Sequence, residues 1–280
     1  MKVVFFGSSA YVLPVIEFLQ KNYELALVVT TERQSHHPVV GYCTEQAIPF
    51  LSVDSVKSPD VQKQIKTIDA PVAVLASFGL IVPQSLLDIF PYGIINIHPS
   101  LLPHYRGSTP VQQALLDGQK ETGVSVMRLD AKMDHGPLFG QAQATIPQNI
   151  TTPELYDILF KASIPVLQET LDMIQEGKDV MPTEQEHDKA TFTPMLDRAS
   201  GHIDLETPPA PETLDRMIRA YYPWPGVWFT YDLDGNGEKV IKLLPGEKIQ
   251  VEGKKAVGFK DFLNGYSKGG ELLIILGLRA

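Results

Sequence analysis

Residues 93–107 read Gly-Ile-Ile-Asn-Ile-His-Pro-Ser-Leu-Leu-Pro-His-Tyr-Arg-Gly. The apolar run that opens the stretch has the character of a buried strand. Asn96 and His98 lie two residues apart, so on an extended chain their side chains share one face. Pro99 ends ladder pairing, and Pro103 with Gly107 marks a turn-rich loop. An amide and an imidazole therefore converge at the carboxyl end of a strand, where open α/β sheets bind their ligands. Taken alone, an Asn-x-His at a strand end serves equally well to cap neighbouring backbone.

The flanking sequence supports the sheet. Residues 2–7, 25–30, 50–53 and 71–77 are β-branched or apolar runs of strand length. Between them Val12, Ile16 and Leu19 recur at helical spacing, and residues 39–47 and 59–66 carry two more helical patterns. This alternation predicts a Rossmann-like α/β fold, a mostly parallel sheet with helices on both faces. Residues 121–129 and 138–146 read as two further strands, antiparallel if the polar loop between them is tight. Residues 151–174 form the longest helical pattern, with a cap at Thr152 and a stop at Gly177. Past Lys178 the periodicity gives way to Pro, Thr, Glu and Asp. The expected organisation is a catalytic domain over 1–177, a linker over 178–211 and a small C-terminal β domain over 212–280. In that last part residues 227–231, 239–244, 248–251, 256–259 and 271–276 read as strands of a shortened, β-barrel-like unit.

Composition narrows the function. The 280 residues are 44% hydrophobic and 20% charged, with a formal charge of −9. That is ordinary globular composition, and the acidic balance argues against non-specific nucleic-acid binding, which needs Lys and Arg to neutralise phosphates. The single cysteine, Cys43, leaves no internal disulfide and fits a reducing compartment. No apolar run reaches the ~18–20 residues of a membrane span, and the N-terminal apolar run is too short for a signal peptide. The expectation is a cytoplasmic monomer with no membrane attachment. The first turn, Gly7-Ser8-Ser9, lacks the three glycines that bring backbone up to a dinucleotide pyrophosphate, and there is no Walker loop. His36 and His37 are adjacent rather than spaced for chelation, so no metal is expected.

Five segments together resemble the folate-dependent formyltransferases: FFGSSAYVLP (5–14), LASFGLIVP (75–83), the run from Asn96 to Pro137, ATFTPMLDRASGHIDL (190–205) and IRAYYPWPG (218–226). The Asn-x-His-x-Ser-Leu-Leu-Pro element is specific, as is Asp134 inside a Met-Asp-x-Gly loop. The resemblance is strongest to members that act on initiator methionyl-tRNA. It implies transfer of a formyl group from 10-formyltetrahydrofolate to the amino group of that tRNA, with a small amine such as a nucleotide-linked amino sugar as the alternative acceptor. It further implies a catalytic trio of Asn96, His98 and Asp134. Folate is expected against Phe78, Leu80, Ile81, Val82 and Pro83, against Ser100, Leu101, Leu102 and Pro103, and against Lys132, Met133 and Gly136. The acceptor is expected at Gly7, Ser8, Arg33, Arg106 and Gly107. An amide can hold an oxyanion, an imidazole can carry a proton near neutrality, and a carboxylate can orient or stabilise that imidazole. The loop over 31–41 is short and holds one arginine and two histidines, a thinner phosphate grip than the longer basic loop of the tRNA-acting members. His135 and Pro137 stand where those members commonly carry Thr and Asp.

Overall fold

The computed structural model describes residues 1–32, 36–178 and 180–278. Its contacts divide the chain into two units. One comprises Met1–Pro110, Glu121–Thr145 and Tyr156–Thr193; the other comprises Val111–Lys120, Ile146–Leu155 and Pro194–Ala280. Residues 178–193, the expected start of a linker, fall within the first.

The first unit is built on a seven-stranded sheet. Its strands are β1 (Lys2–Phe6), β2 (Glu24–Thr30), β3 (Phe50–Ser52), β4 (Val72–Leu75), β5 (Ile94–His98), β6 (Glu121–Arg128) and β7 (Leu138–Thr145), in the spatial order β3-β2-β1-β4-β5-β6-β7. Pairing is parallel from β3 through β5, then antiparallel to β6 and β7. Helices α1 (Leu13–Asn22), α2 (Pro38–Glu45), α3 (Pro59–Thr67) and α4 (Gln84–Leu87) connect the parallel strands, as right-handed crossovers require an intervening element. The short α4 carries too little periodicity to be visible in the sequence.

Both faces of β1 are dry. Val4 and Phe6 join Leu27, Val29, Leu75, Ile94, Ile65 of α3 and Leu86 of α4 in one cluster. Val3 and Phe5 point the other way and are equally buried, which is why these strands read as continuous apolar runs. Phe6 meets the Phe78 ring edge-on at 5.3 Å, so the start of the loop after β4 is anchored in the core.

The second unit holds a four-stranded antiparallel sheet, ordered β11-β10-β9-β8, from β8 (Val227–Tyr231), β9 (Lys239–Leu244), β10 (Lys248–Val251) and β11 (Val257–Gly258). Helices α7 (Pro211–Ala220), α8 (Phe259–Gly265) and α9 (Gly269–Ile275) accompany it. The expected strand over 271–276 is therefore a helix. Leu272, Leu273 and Leu276 are buried while Ile274 is 79% exposed, a helical face that strand alternation would not produce. A short apolar run carries no periodicity that separates the two states.

Two helices contain residues of both units, α5 (Pro110–Leu116) and α6 (Thr152–Gln175). The cap of α6 is Thr151 rather than Thr152. The Glu154 carboxylate accepts the Thr151 backbone N–H at 2.8 Å and its hydroxyl at 2.5 Å, the N3-to-N-cap half of a capping box. Those two hydrogen bonds, the side-chain one first, hold the Glu154 carboxyl below its ordinary pKa. The Thr152 hydroxyl instead donates to the Ala220 carbonyl at 2.6 Å. No helix among the described residues is long and apolar enough to cross a membrane.

Candidate active site

The end of β5 sets the first two groups. Asn96 pairs with Met127 and His98 with Ser125 across the antiparallel β5–β6 ladder. This register fixes both side chains on one face, and both residues are buried. Past the strand, the Ser125 hydroxyl donates to the Ser100 carbonyl at 2.6 Å and accepts the Leu102 N–H at 3.0 Å. The Ser100 hydroxyl donates to the His104 carbonyl at 2.6 Å. The loop is thus tied to β6 as it leaves the sheet.

His98 has a defined tautomer. Its Nε2 lies 2.9 Å from the Tyr105 carbonyl, which can only accept, so Nε2 carries a hydrogen. In the neutral ring the lone pair is then on Nδ1, and Nδ1 faces Asp134 Oδ2 at 3.6 Å. The Nδ1 lone pair is thus directed at a carboxylate.

The Asp134 carboxylate is held by one backbone N–H and faces two side chains. Its Oδ2 accepts the Gly107 N–H at 2.8 Å, and its Oδ1 faces Asn96 Nδ2 at 3.5 Å. Its own φ is +47°, a left-handed conformation that a non-glycine residue adopts only where the surroundings enforce it. Two glycines make this approach work. Gly107 has φ +114°, and a Cβ there would meet the Thr193 hydroxyl at 2.7 Å; a Cβ on Gly136 would lie 1.9 Å from the Arg128 carbonyl oxygen.

The trio lines a cavity of about 620 Å³, within the range of small-molecule sites. Phe78, Leu80, Ile81 and Val82 line it, with Lys132, Met133 and Gly107. Ile81 and Met133 are 80% and 65% exposed, so two apolar side chains stand at its mouth. Leu129, Ser108 and Tyr156 also line it. Ser108 and Leu129 lie inside the run from Asn96 to Pro137, beside Gly107 and Asp130, though neither was singled out from the sequence; Tyr156 comes from α6, distant in the chain, where no sequence signal pointed to it. Pro83, Ser100, Leu101, Leu102, Pro103 and Gly136 are not among its lining residues. Ser100 and Leu102 turn their polar groups to Ser125 of β6, the Leu101 carbonyl accepts the His104 N–H and the Pro103 carbonyl accepts the Thr191 N–H, and Gly136 packs on the Arg128 backbone.

The expected acceptor contacts are scattered. The Ser8 hydroxyl donates to the Phe78 carbonyl at 3.3 Å and accepts the Thr31 N–H at 2.9 Å, so it links three strand ends. Gly7 packs against the Phe5 ring with no room for a Cβ. Arg106 is 4% exposed, and its guanidinium donates to Gln185 Oε1 at 2.7 Å and to His187 Nδ1 at 2.9 Å. Arg33 lies outside the described residues. His135 stands beside the trio, bonded to Asp130 Oδ2 at 2.8 Å and stacked on His187 with centroids 3.9 Å apart. Among the described residues, no group of three or more His, Cys, Asp or Glu is arranged to hold a metal.

Residues 1–171 match the profile of the family described as formyl transferase. The chain is 31% identical over 268 residues to the methionyl-tRNA formyltransferase of Caldanaerobacter subterraneus, covering 92% of this chain and 84% of that protein. It is 33% identical over 302 aligned positions to the methionyl-tRNA formyltransferase of Dehalococcoides mccartyi, covering 95% and 96%. Among solved structures, HypX of Aquifex aeolicus in complex with tetrahydrofolic acid aligns with 89% of this chain and 47% of that one, at a TM-score of 0.60 and 16% identity.

Proposed function

The chain belongs to the formyl transferase family, and from that membership we propose that it moves a formyl group from 10-formyltetrahydrofolate to the amino group of initiator methionyl-tRNA. The observation that carries the reading is the convergence of an amide, an imidazole and a carboxylate in a cavity that is also lined by apolar residues. Relatives named for this reaction align over nearly the whole chain.

The residues fit a folate. Phe78, Leu80, Ile81 and Val82 offer apolar contact to a flat ring, and the amide, imidazole and carboxylate lining the same cavity are the groups for the transferred formyl. The folate supplies a formyl carbon bonded to a nitrogen that can leave. The acceptor amine attacks that carbon, and Asn96 Nδ2 donates to the oxyanion that develops on the formyl oxygen. His98 Nδ1, the only ring nitrogen without a hydrogen, takes the proton from the attacking amine. Asp134 Oδ2, 3.6 Å away, stabilises the imidazolium so formed. The proton then passes to the departing folate nitrogen as its bond to carbon breaks. Neither ring nitrogen needs to change partners: Nε2 stays on the Tyr105 carbonyl throughout.

Labelled 10-formyltetrahydrofolate and charged initiator tRNA test this, with His98→Ala beside the wild type. Transfer by the wild type that falls ~10²–10⁴-fold in the variant, with folate binding retained, is the expected result. Folate binding with no transfer to the tRNA by the wild type would overturn the proposed acceptor.

A further inference from the structure

Segment 183–193 begins past α6 and runs back across the site. The Thr183 backbone pairs with Leu138 at the start of β7 through bonds of 2.7 and 2.8 Å. Thr191 Oγ1 accepts the Tyr105 N–H at 2.8 Å, and the Thr191 carbonyl accepts the Arg106 N–H at 2.8 Å. The Thr193 N–H returns to the Arg106 carbonyl at 2.8 Å. The segment therefore fixes Tyr105, which holds His98, and Arg106, the neighbour of the Gly107 N–H that holds Asp134.

Gln185 sits in the middle of this strap. It is 6% exposed. Its Nε2 donates to two carbonyls of the loop that carries the carboxylate, Asp134 at 3.0 Å and Gly136 at 2.7 Å. Its Oε1 accepts from Arg106 at 2.7 Å. The amide has a single workable orientation, because both loop partners only accept and the guanidinium only donates. The Arg106 guanidinium carries a buried Nε with no hydrogen-bond partner among the described residues. One terminal nitrogen of the same guanidinium contacts both Gln185 and His187.

We propose that Gln185 is a positioning residue for the reaction, acting through Asp134. Its two N–H groups hold the carbonyls of residues 134 and 136, with Gly136 against the Arg128 backbone and Asp134 in its left-handed conformation. Arg106 serves as the brace that orients the Gln185 amide. This rests on the reading of Asp134 as a catalytic group.

The test compares Gln185→Met and Gln185→Glu with wild type and with Asp134→Asn. Q185E keeps an acceptor for Arg106 but removes both donors to the loop. A positioning role predicts that both variants lose ~10–100-fold in kcat while the KM for folate stays within about threefold. It also predicts that Q185M adds less than about threefold in the D134N background, since the two act through one group. A role confined to satisfying Arg106 would leave Q185E near wild type, and an independent structural role would give multiplicative losses in the double variant; either result overturns the proposal. Hydrogen exchange of residues 130–137 gives a readout that needs no acceptor: it accelerates at least about tenfold in Q185M and Q185E while β1 and β4 are unchanged. Unchanged exchange refutes the strap, and a wild type that transfers to no tRNA refutes the acceptor while leaving the exchange result decisive for the strap.

Discussion

Replacing Asp134 by Asn removes one charge and keeps the shape of the side chain. In the folded protein the carboxylate oxygen sits 3.6 Å from His98 Nδ1. At an effective dielectric of ~20, opposite unit charges at that distance attract by about 4–5 kcal/mol. Water in the open cavity screens part of this, leaving about 3–4 kcal/mol, or 10²–10³-fold in rate. In the proposed mechanism the loss falls on kcat, because the interaction with Asp134 strengthens as the attacking amine gives its proton to His98. Hydrogen bonding adds to it. The amide that replaces the carboxylate must keep its oxygen toward the Gly107 N–H, so its NH₂ takes the place of Oδ1, which in the native protein faces Asn96 Nδ2 at 3.5 Å. Two donors cannot share that contact, and the Asn96 amide turns its oxygen toward the substituted side chain. The donor aimed at the oxyanion is then misdirected. The assay is single-turnover transfer from labelled 10-formyltetrahydrofolate to charged initiator tRNA, with folate affinity measured in parallel. A kcat within tenfold of wild type would refute the electrostatic role, and a loss confined to folate affinity would move Asp134 from the reaction to binding.

Three further outcomes follow from other parts of the molecule. Asn96→Ala lowers kcat ~10²–10³-fold with little change in folate affinity, read by the same assay; a large rise in KM with kcat intact would reassign the amide to substrate binding. Burial pushes the Cys43 thiol up to about 11, so it resists a thiol reagent at pH 8 in the native protein and reacts fully on unfolding. Because the folded state disfavours the thiolate, stability is unaffected below pH 9 and declines as the pH rises from 9 toward 11, measurable by urea unfolding at several pH values against Cys43→Ala. The Glu154 carboxyl is held below its ordinary value, so its capping contribution is present above the usual carboxylate range and disappears as the pH falls through the lowered value. Glu154→Gln, at an exposed carboxylate, costs about 0.5 kcal/mol at pH 7, and the gap from wild type closes in acid.

Much of the first unit was legible in the chain. The buried strands announced themselves because a parallel sheet covered on both faces needs unbroken apolar runs, as at residues 72–75 and 94–98. The Asn96–His98 pair was legible because a strand has a period of two, so spacing alone fixes a shared face. The tail over 271–276 was not, since five consecutive apolar residues carry neither period. The cap at Thr151 was legible, because the capping-box spacing Thr-x-x-Glu is met by Thr151 with Glu154 and not by Thr152 with Leu155.

What the sequence determined by itself was the architecture of the sheet and the identity of the trio's chemical groups, because both rest on local periodicity and on side-chain chemistry. What only the tertiary structure decided was which nitrogen of His98 is basic and which residues hold Asp134. Those depend on the Tyr105 carbonyl, the Gly107 N–H and Gln185. Gln185 lies 51 residues from Asp134 in the chain, in a stretch with no period to read. A hydrogen bond across that separation is set by how the backbone closes on itself, and no local pattern of residues encodes it.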